Sequence, residues 1–137
     1  MKKGKILVVD DNKGIRDALK ILLGSCFAQV QTIPSPTTLM TTTEEMMPDV
    51  ILLDMNFKTD INSGNEGLYW LSEIKNRWPE MPVVLFTAYA DIALAVEGMK
   101  RGASDFIVKP WDNAKLIETL TSIRDRKDAP KKGTAPA

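Results

Sequence analysis

Four short apolar runs, each closed by a polar side chain, constrain this chain more than any other feature. Ile6-Leu7-Val8-Val9 ends in Asp10-Asp11, and Val50-Ile51-Leu52-Leu53 ends in Asp54. Val83-Val84-Leu85-Phe86 ends in Thr87, and Phe106-Ile107-Val108 ends in Lys109-Pro110. The runs are rich in β-branched residues and lack the alternation of a half-exposed strand. Near-continuous apolar strands are what a parallel sheet covered on both faces requires. Parallel strands would bring all the closing polar groups to one edge of the sheet, where open α/β sheets bind their ligands. Three carboxylates, a hydroxyl and an ammonium would then share one crevice. That combination suits a divalent metal and a phosphoryl group.

The intervening segments carry helical spacing. Ile15, Ala18, Leu19 and Leu22 mark one helix face, with Asp11 or Asn12 as cap and Gly24 placed to end it. Ser35 and Pro36 read as cap and first residue of a second, Thr-rich helix through about Met46, stopped by Pro48. Leu68, Leu71, Ile74 and Lys75 mark a third, ended before Pro79. Ile92, Ala95, Val96 and Met99 mark a fourth, capped by Asp91 or by Thr87-Ala88 and closed near Gly102. Leu116, Leu120 and Ile123 mark the last, with Asp112 or Asn113 as cap. A weaker apolar run from Ala28 to Ile33 is expected at a sheet edge. Strand and helix thus alternate five times, and right-handed crossovers give a doubly wound sheet with helices on both faces.

Composition removes several function classes. A chain of 137 residues is about one domain. Its formal net charge is zero, so nothing global argues for nucleic acid or an anionic membrane. It has no histidine, which rules out His-based acid–base catalysis and His metal ligation. The lone Cys26 excludes an internal disulfide and fits a reducing compartment. No apolar stretch approaches the roughly 20 residues of a membrane span, and the N-terminus lacks a signal-peptide pattern. A cytoplasmic protein is expected. Residues 1–126 are expected to form the domain, and the Pro- and Lys-containing segment 127–137 a linker or disordered tail.

One segment is too long for its place. Between Asp54 and Leu68 the chain is polar and about twice the usual length of a strand-to-helix loop. Long loops inside compact domains are usually functional or mobile. Asp60, Asn62 and Glu66 could add ligands or shield the site, or could be solvated loop residues.

The chain resembles the receiver domain of bacterial two-component response regulators over about residues 4 to 126. The resemblance rests on Val-Val-Asp-Asp at 8–11, Leu-Leu-Asp-Met at 52–55, Thr87-Ala88 and Lys109-Pro110, in that order. Residues 87–111 are most similar to receivers of sigma-54-dependent, nitrogen-regulator-type transcriptional activators. The resemblance implies a flavodoxin-like sheet of five parallel strands in the order 2-1-3-4-5, with five helices. It implies that Asp54 is the phosphoacceptor and that Mg²⁺ is held by Asp10, Asp11, Asp54 and the backbone carbonyl of Asn56. Lys109 would pair with the phosphoryl oxygens, and Thr87 would donate its hydroxyl to one of them. Phe106 stands where the family carries an aromatic switch residue, and Lys109-Pro110 where it carries a cis bond.

The partner implied is a sensor histidine kinase or phosphotransfer protein. The output implied is a change on the fourth helix, fifth strand and fifth helix that controls homodimerisation or an effector domain, with no direct nucleic-acid or membrane contact. Trp111 near that face is either an interface anchor or a cover for the last helix. Asn56 and Tyr89 match positions that influence dephosphorylation in the family. The chain departs from the pattern by lacking a proline soon after Asp54 and by about five extra residues before Gly67.

Each feature also has a plainer reading. Asp10-Asp11 could be a helix cap beside a solvated charge, Lys109 a surface lysine before a turn, Thr87 a cap, and Phe106 a core aromatic. Three carboxylates converging on one site are nonetheless costly without a cation, since like charges oppose each other's ionisation. A haloacid-dehalogenase-like phosphohydrolase would also use an aspartyl phosphate. It needs a second acid where this chain has Asn56. A flavodoxin-like cofactor binder needs a Ser/Thr/Gly-rich phosphate loop where Asp10-Asp11 stand. A phosphorylation-independent receiver would have no use for the intact set of Asp10, Asp11, Asp54, Thr87 and Lys109. The expected role is a phosphorylation-switched signalling module, with at most self-catalysed phosphotransfer and dephosphorylation.

Overall fold

The computed structural model describes residues 2–55 and 65–128. Five parallel strands form one sheet in the order β2-β1-β3-β4-β5. They are β1 (Lys5–Val9), β2 (Gln29–Ile33), β3 (Val50–Asp54), β4 (Val83–Ala88) and β5 (Asp105–Lys109). The helices are α1 (Lys13–Leu23), α2 (Leu39–Met46), α3 (Asn65–Arg77), α4 (Ile92–Lys100) and α5 (Asn113–Asp128). The expected architecture and strand order therefore hold, including the edge position of β2. Among the described residues, no helix is long and apolar enough to cross a membrane.

The apolar runs are strands buried on both faces. Leu7, Val9, Ile51, Leu53, Val83 and Leu85 pack into a core with α2, α3 and α4. Their alternates Ile6, Val8, Val50, Leu52, Val84 and Phe86 pack with α1 and α5. Successive side chains of a strand point to opposite faces, so continuous apolar sequence fills both cores at once.

Local chemistry sets the helix ends. The Asn12 side chain accepts the Ile15 N–H at 3.0 Å, so Asn12 rather than Asp11 caps α1. Such a cap stabilises by about 1 kcal/mol. Asp112 caps α5, its carboxylate accepting the Lys115 N–H at 2.9 Å. Ser35 caps a single 3₁₀ turn, Pro36–Thr38, and α2 begins only at Leu39. Met47, with φ 44°, ends α2 in the left-handed region before Pro48. A second 3₁₀ turn, Tyr89–Asp91, leads into α4.

The face of α4 differs from the expected one. Val96 and Met99 are exposed, whereas Ala95 and Gly98 are buried and Leu94 packs on the core. Gly98 lies so close to Leu85 that a Cβ there would overlap its side chain. The smallest residue marks the buried face, and hydrophobic spacing could not find it. α5 runs to Asp128, two residues past the expected domain boundary, and 129–137 lie outside the described residues.

Candidate functional site

The carboxyl ends of the strands converge as expected. Val9 pairs with Leu53, so the next residues, Asp10 and Asp54, leave β1 and β3 side by side. Asp54 pairs with Phe86, Thr87 with Val108, and Ala88 with Lys109. Carboxylate oxygens of Asp10, Asp11 and Asp54 all lie within 4.8 Å of one another. Asp10 is fully buried and Asp54 only 3% exposed, with Asp11 half-buried at the rim.

Lys109 reaches across the sheet edge to two of the three acids. Its ammonium donates to Asp10 at 3.0 Å and to Asp54 at 3.2 Å. It also lies 4.7 Å over the Phe86 ring, whose face attracts a cation. Burial by itself would draw the Lys109 pKa down. The Asp54 and Asp10 carboxylates beside it outweigh burial and hold the pKa above the ordinary lysine range. Lys109 therefore carries its full positive charge at neutral pH. The following Lys109–Pro110 peptide is cis, as the resemblance implied.

Asp10 is held on every side. Its N–H donates to the Ile33 carbonyl at 3.1 Å. One carboxylate oxygen accepts the Asn12 N–H at 2.9 Å, and the other accepts from Lys109. Its carbonyl accepts from the Arg16 guanidinium at 2.9 Å. Nothing in the sequence spacing marked Arg16 for this site. The only signal is a long cationic side chain in the first turn after the cap, able to reach back over that turn.

Thr87 is 1% exposed. Its hydroxyl donates to the carbonyls of Ala88 at 3.3 Å and Asp91 at 3.4 Å. Both are near the limit for O–H donors, so the hydroxyl is weakly held in this rotamer. Phe106 is half-buried on β5 and packs against the core shared with α2, α3 and α4. Tyr89 is exposed. Trp111 packs against Phe86 with ring centroids 5.4 Å apart and donates to Asn113 at 2.8 Å, so it covers the core beside α5. Asn56, Asp60, Asn62 and the side chain of Glu66 lie outside the described residues.

The donor set fits a hard divalent cation. Three carboxylates offer oxygen only, which is the ligand preference of Mg²⁺ and Ca²⁺ rather than of thiophilic or imidazole-bound metals. Gathering three acids beside one ammonium leaves excess negative charge that a divalent cation would balance.

Comparison with known proteins agrees with this arrangement. A family model described as the response regulator receiver domain matches residues 6–121. The DNA-binding transcriptional regulator NtrC of Klebsiella pneumoniae is 33% identical over 126 residues, covering 92% of this chain and 25% of that protein. The chain thus spans about a quarter of the length of such curated relatives. The N-terminal signal receiver domain of a response regulator from Bacteroides fragilis is 55% identical, with a TM-score of 0.82. That match covers 90% of this chain and 98% of the solved one. The receiver domain of NtrX from Brucella abortus is 32% identical with a TM-score of 0.79, covering 88% and 98%. The likeness to receivers of nitrogen-regulator-type activators holds, and the phosphohydrolase alternative gains no support.

Proposed function

The chain belongs to the response regulator receiver domain family, and from that membership we propose that it accepts a phosphoryl group on Asp54 from the phosphohistidine of a sensor kinase or phosphotransfer protein. The observation that carries this reading is the Lys109 ammonium bridging Asp10 and a nearly fully buried Asp54 at the sheet edge. A buried carboxylate beside a fixed cation is a nucleophile with its charge partner already in place.

In the transfer, an Asp54 carboxylate oxygen attacks phosphorus. The phosphorus–nitrogen bond breaks, and the imidazole leaves with the bonding pair. The product is an acyl phosphate on Asp54. Phosphoryl transfer passes through a loose transition state, so the protein mostly positions groups and neutralises charge. Lys109 pairs with a phosphoryl oxygen as a point charge. Mg²⁺ held by Asp10, Asp11, Asp54 and the Asn56 carbonyl would neutralise the remaining negative charge. The Thr87 hydroxyl gives up its long bonds to Ala88 and Asp91 and donates to the phosphoryl group instead.

That rotation vacates space beside β5, which Phe106 fills, and the α4–β5–α5 face changes shape. The switch is a population shift between two arrangements of these side chains. Its output is homodimerisation or control of an effector, with transcription as the regulated process. The receiver takes in α5 to its end at Asp128, with a linker or tail after it, in the cytoplasm. The domain is a signalling module, with any dephosphorylation self-catalysed at the same site.

The test is intact mass after incubation with acetyl phosphate, with and without Mg²⁺, for the wild type and Asp54→Asn. A gain of one phosphoryl mass that needs both Mg²⁺ and Asp54 supports the reading. A gain of the same size in Asp54→Asn refutes the acceptor assignment.

A further inference from the structure

We propose that Arg16 is a positioning residue for the metal-binding carboxylates, holding the Asp10–Asp11 peptide in the orientation that brings the Asp11 carboxylate into the ligand set. The inference rests on the reading of Asp10, Asp11 and Asp54 as a Mg²⁺ site. Arg16 lies in the first turn of α1, and its own N–H is fixed to the Asn12 carbonyl at 3.0 Å. From there its guanidinium reaches back to the Asp10 carbonyl at 2.9 Å.

That carbonyl belongs to the planar peptide joining Asp10 to Asp11. Asp10 itself is fixed by Ile33, Asn12 and Lys109. Rotation of the Asp10–Asp11 peptide plane sets the direction in which Asp11 leaves. A bond to the carbonyl restrains that rotation. Asp11 lies in a non-helical bend between β1 and α1, outside the regular ladders of both elements.

The sign of the effect separates positioning from plain electrostatics. Arg16 adds a positive charge near a site meant for a cation. As a charge alone it opposes Mg²⁺, and its removal would raise affinity. As a positioner it favours Mg²⁺, and its removal lowers affinity.

The experiment is calorimetric titration of the full chain with Mg²⁺ for wild type, Arg16→Ala, Arg16→Lys and Asp11→Ala, each paired with a metal-free thermal melt. We expect Arg16→Ala to weaken Mg²⁺ binding about tenfold, the scale of one hydrogen bond from a charged donor. Arg16→Lys keeps a donor and should recover most of that loss. Phosphorylation of Arg16→Ala by acetyl phosphate should return towards the wild-type rate at saturating Mg²⁺. Unchanged or tighter Mg²⁺ binding in Arg16→Ala overturns the proposal. So does equal weakening in Ala and Lys variants that tracks a fall in metal-free melting temperature, which is a purely structural role. If Arg16→Ala does not fold, wild-type Mg²⁺ affinity in Arg16→Lys supports the proposal and tenfold weaker binding overturns it. Mg²⁺ binding in the wild type that vanishes in Asp11→Ala keeps the site reading standing whatever Arg16 does. Absence of binding in the wild type removes both.

Discussion

Lys109→Met is the most informative single substitution. Methionine keeps much of the apolar stem and deletes the ammonium that bonds Asp10 and Asp54 at 3.0 and 3.2 Å. At an effective dielectric of about 20, each pair is worth about 5 kcal/mol before desolvation. Desolvation of the three groups takes back much of that, and removing one partner of a buried pair costs about 3–5 kcal/mol. The Lys109 side chain keeps 21% exposure, which places the loss near the lower end, at about 3 kcal/mol. For a domain of this size that corresponds to a fall of about 12 °C in melting temperature. The cost should depend on metal. A divalent cation supplies the missing positive charge and binds the folded state alone, which stabilises by about 2.7 kcal/mol at a hundredfold excess over Kd. Without a competing ammonium the variant gains more from Mg²⁺ than the wild type does. Melting followed by circular dichroism, in EDTA and in saturating Mg²⁺, should show a wide gap that narrows with metal. A gap below about 3 °C in EDTA, or one of equal width in both conditions, would refute the charge-balance argument.

Three further outcomes are expected. Thr43 is fully buried on α2 with no partner for its hydroxyl among the described residues, so Thr43→Val should raise stability by about 1 kcal/mol, read as a higher urea midpoint. Gly98→Ala should lower it by about 1–2 kcal/mol in the same titration. Overlap with Leu85 in a closed core outweighs the gain in helix propensity, and neutral behaviour would mean that α4 can move away from the sheet. The raised Lys109 pKa contributes stability that is fully present below its ordinary value of 10.5 and is lost as pH rises through the higher folded value. The urea midpoint should therefore fall as pH rises from 10.5 towards the folded value, and this part of the slope should be absent in Lys109→Met.

The sheet was legible because burial on both faces forces continuous apolar sequence, which few other structures need. The site was legible for a related reason: Asp10, Asp54, Thr87 and Lys109 stand where apolar runs stop. Helix faces were harder. On α1 the expected Ile15, Leu19 and Leu22 pack on the core, but Ala18 is exposed and the buried Leu23 lies beside the expected face. The face of α4 differs from the expected one because Gly98, which sits on the buried side against Leu85, contributes no hydrophobicity. The 3₁₀ turn at Pro36–Thr38 was hidden because a capping serine and a proline start either kind of helix. Arg16 could not be found, since its bond is to a backbone carbonyl and side-chain pattern does not encode such partners.

The polar residues at the strand ends also settle how the strands align. In a sheet with one wet face, a slip of one residue exposes the apolar side chains and is heavily penalised. Here both faces are apolar, and sliding β3 by one residue would exchange one hydrophobic neighbour for another. The alternation itself offers little resistance to that error. What resists it is Asp54. Drawn one step inward, its carboxylate would enter the hydrocarbon layer away from Lys109, at a cost of several kcal/mol. The groups proposed to perform the chemistry thus also act as stops that index β1, β3, β4 and β5 against one another. A variant with apolar residues at all of these positions would lose its site, and with it the marker that tells the correct alignment from its nearest neighbours.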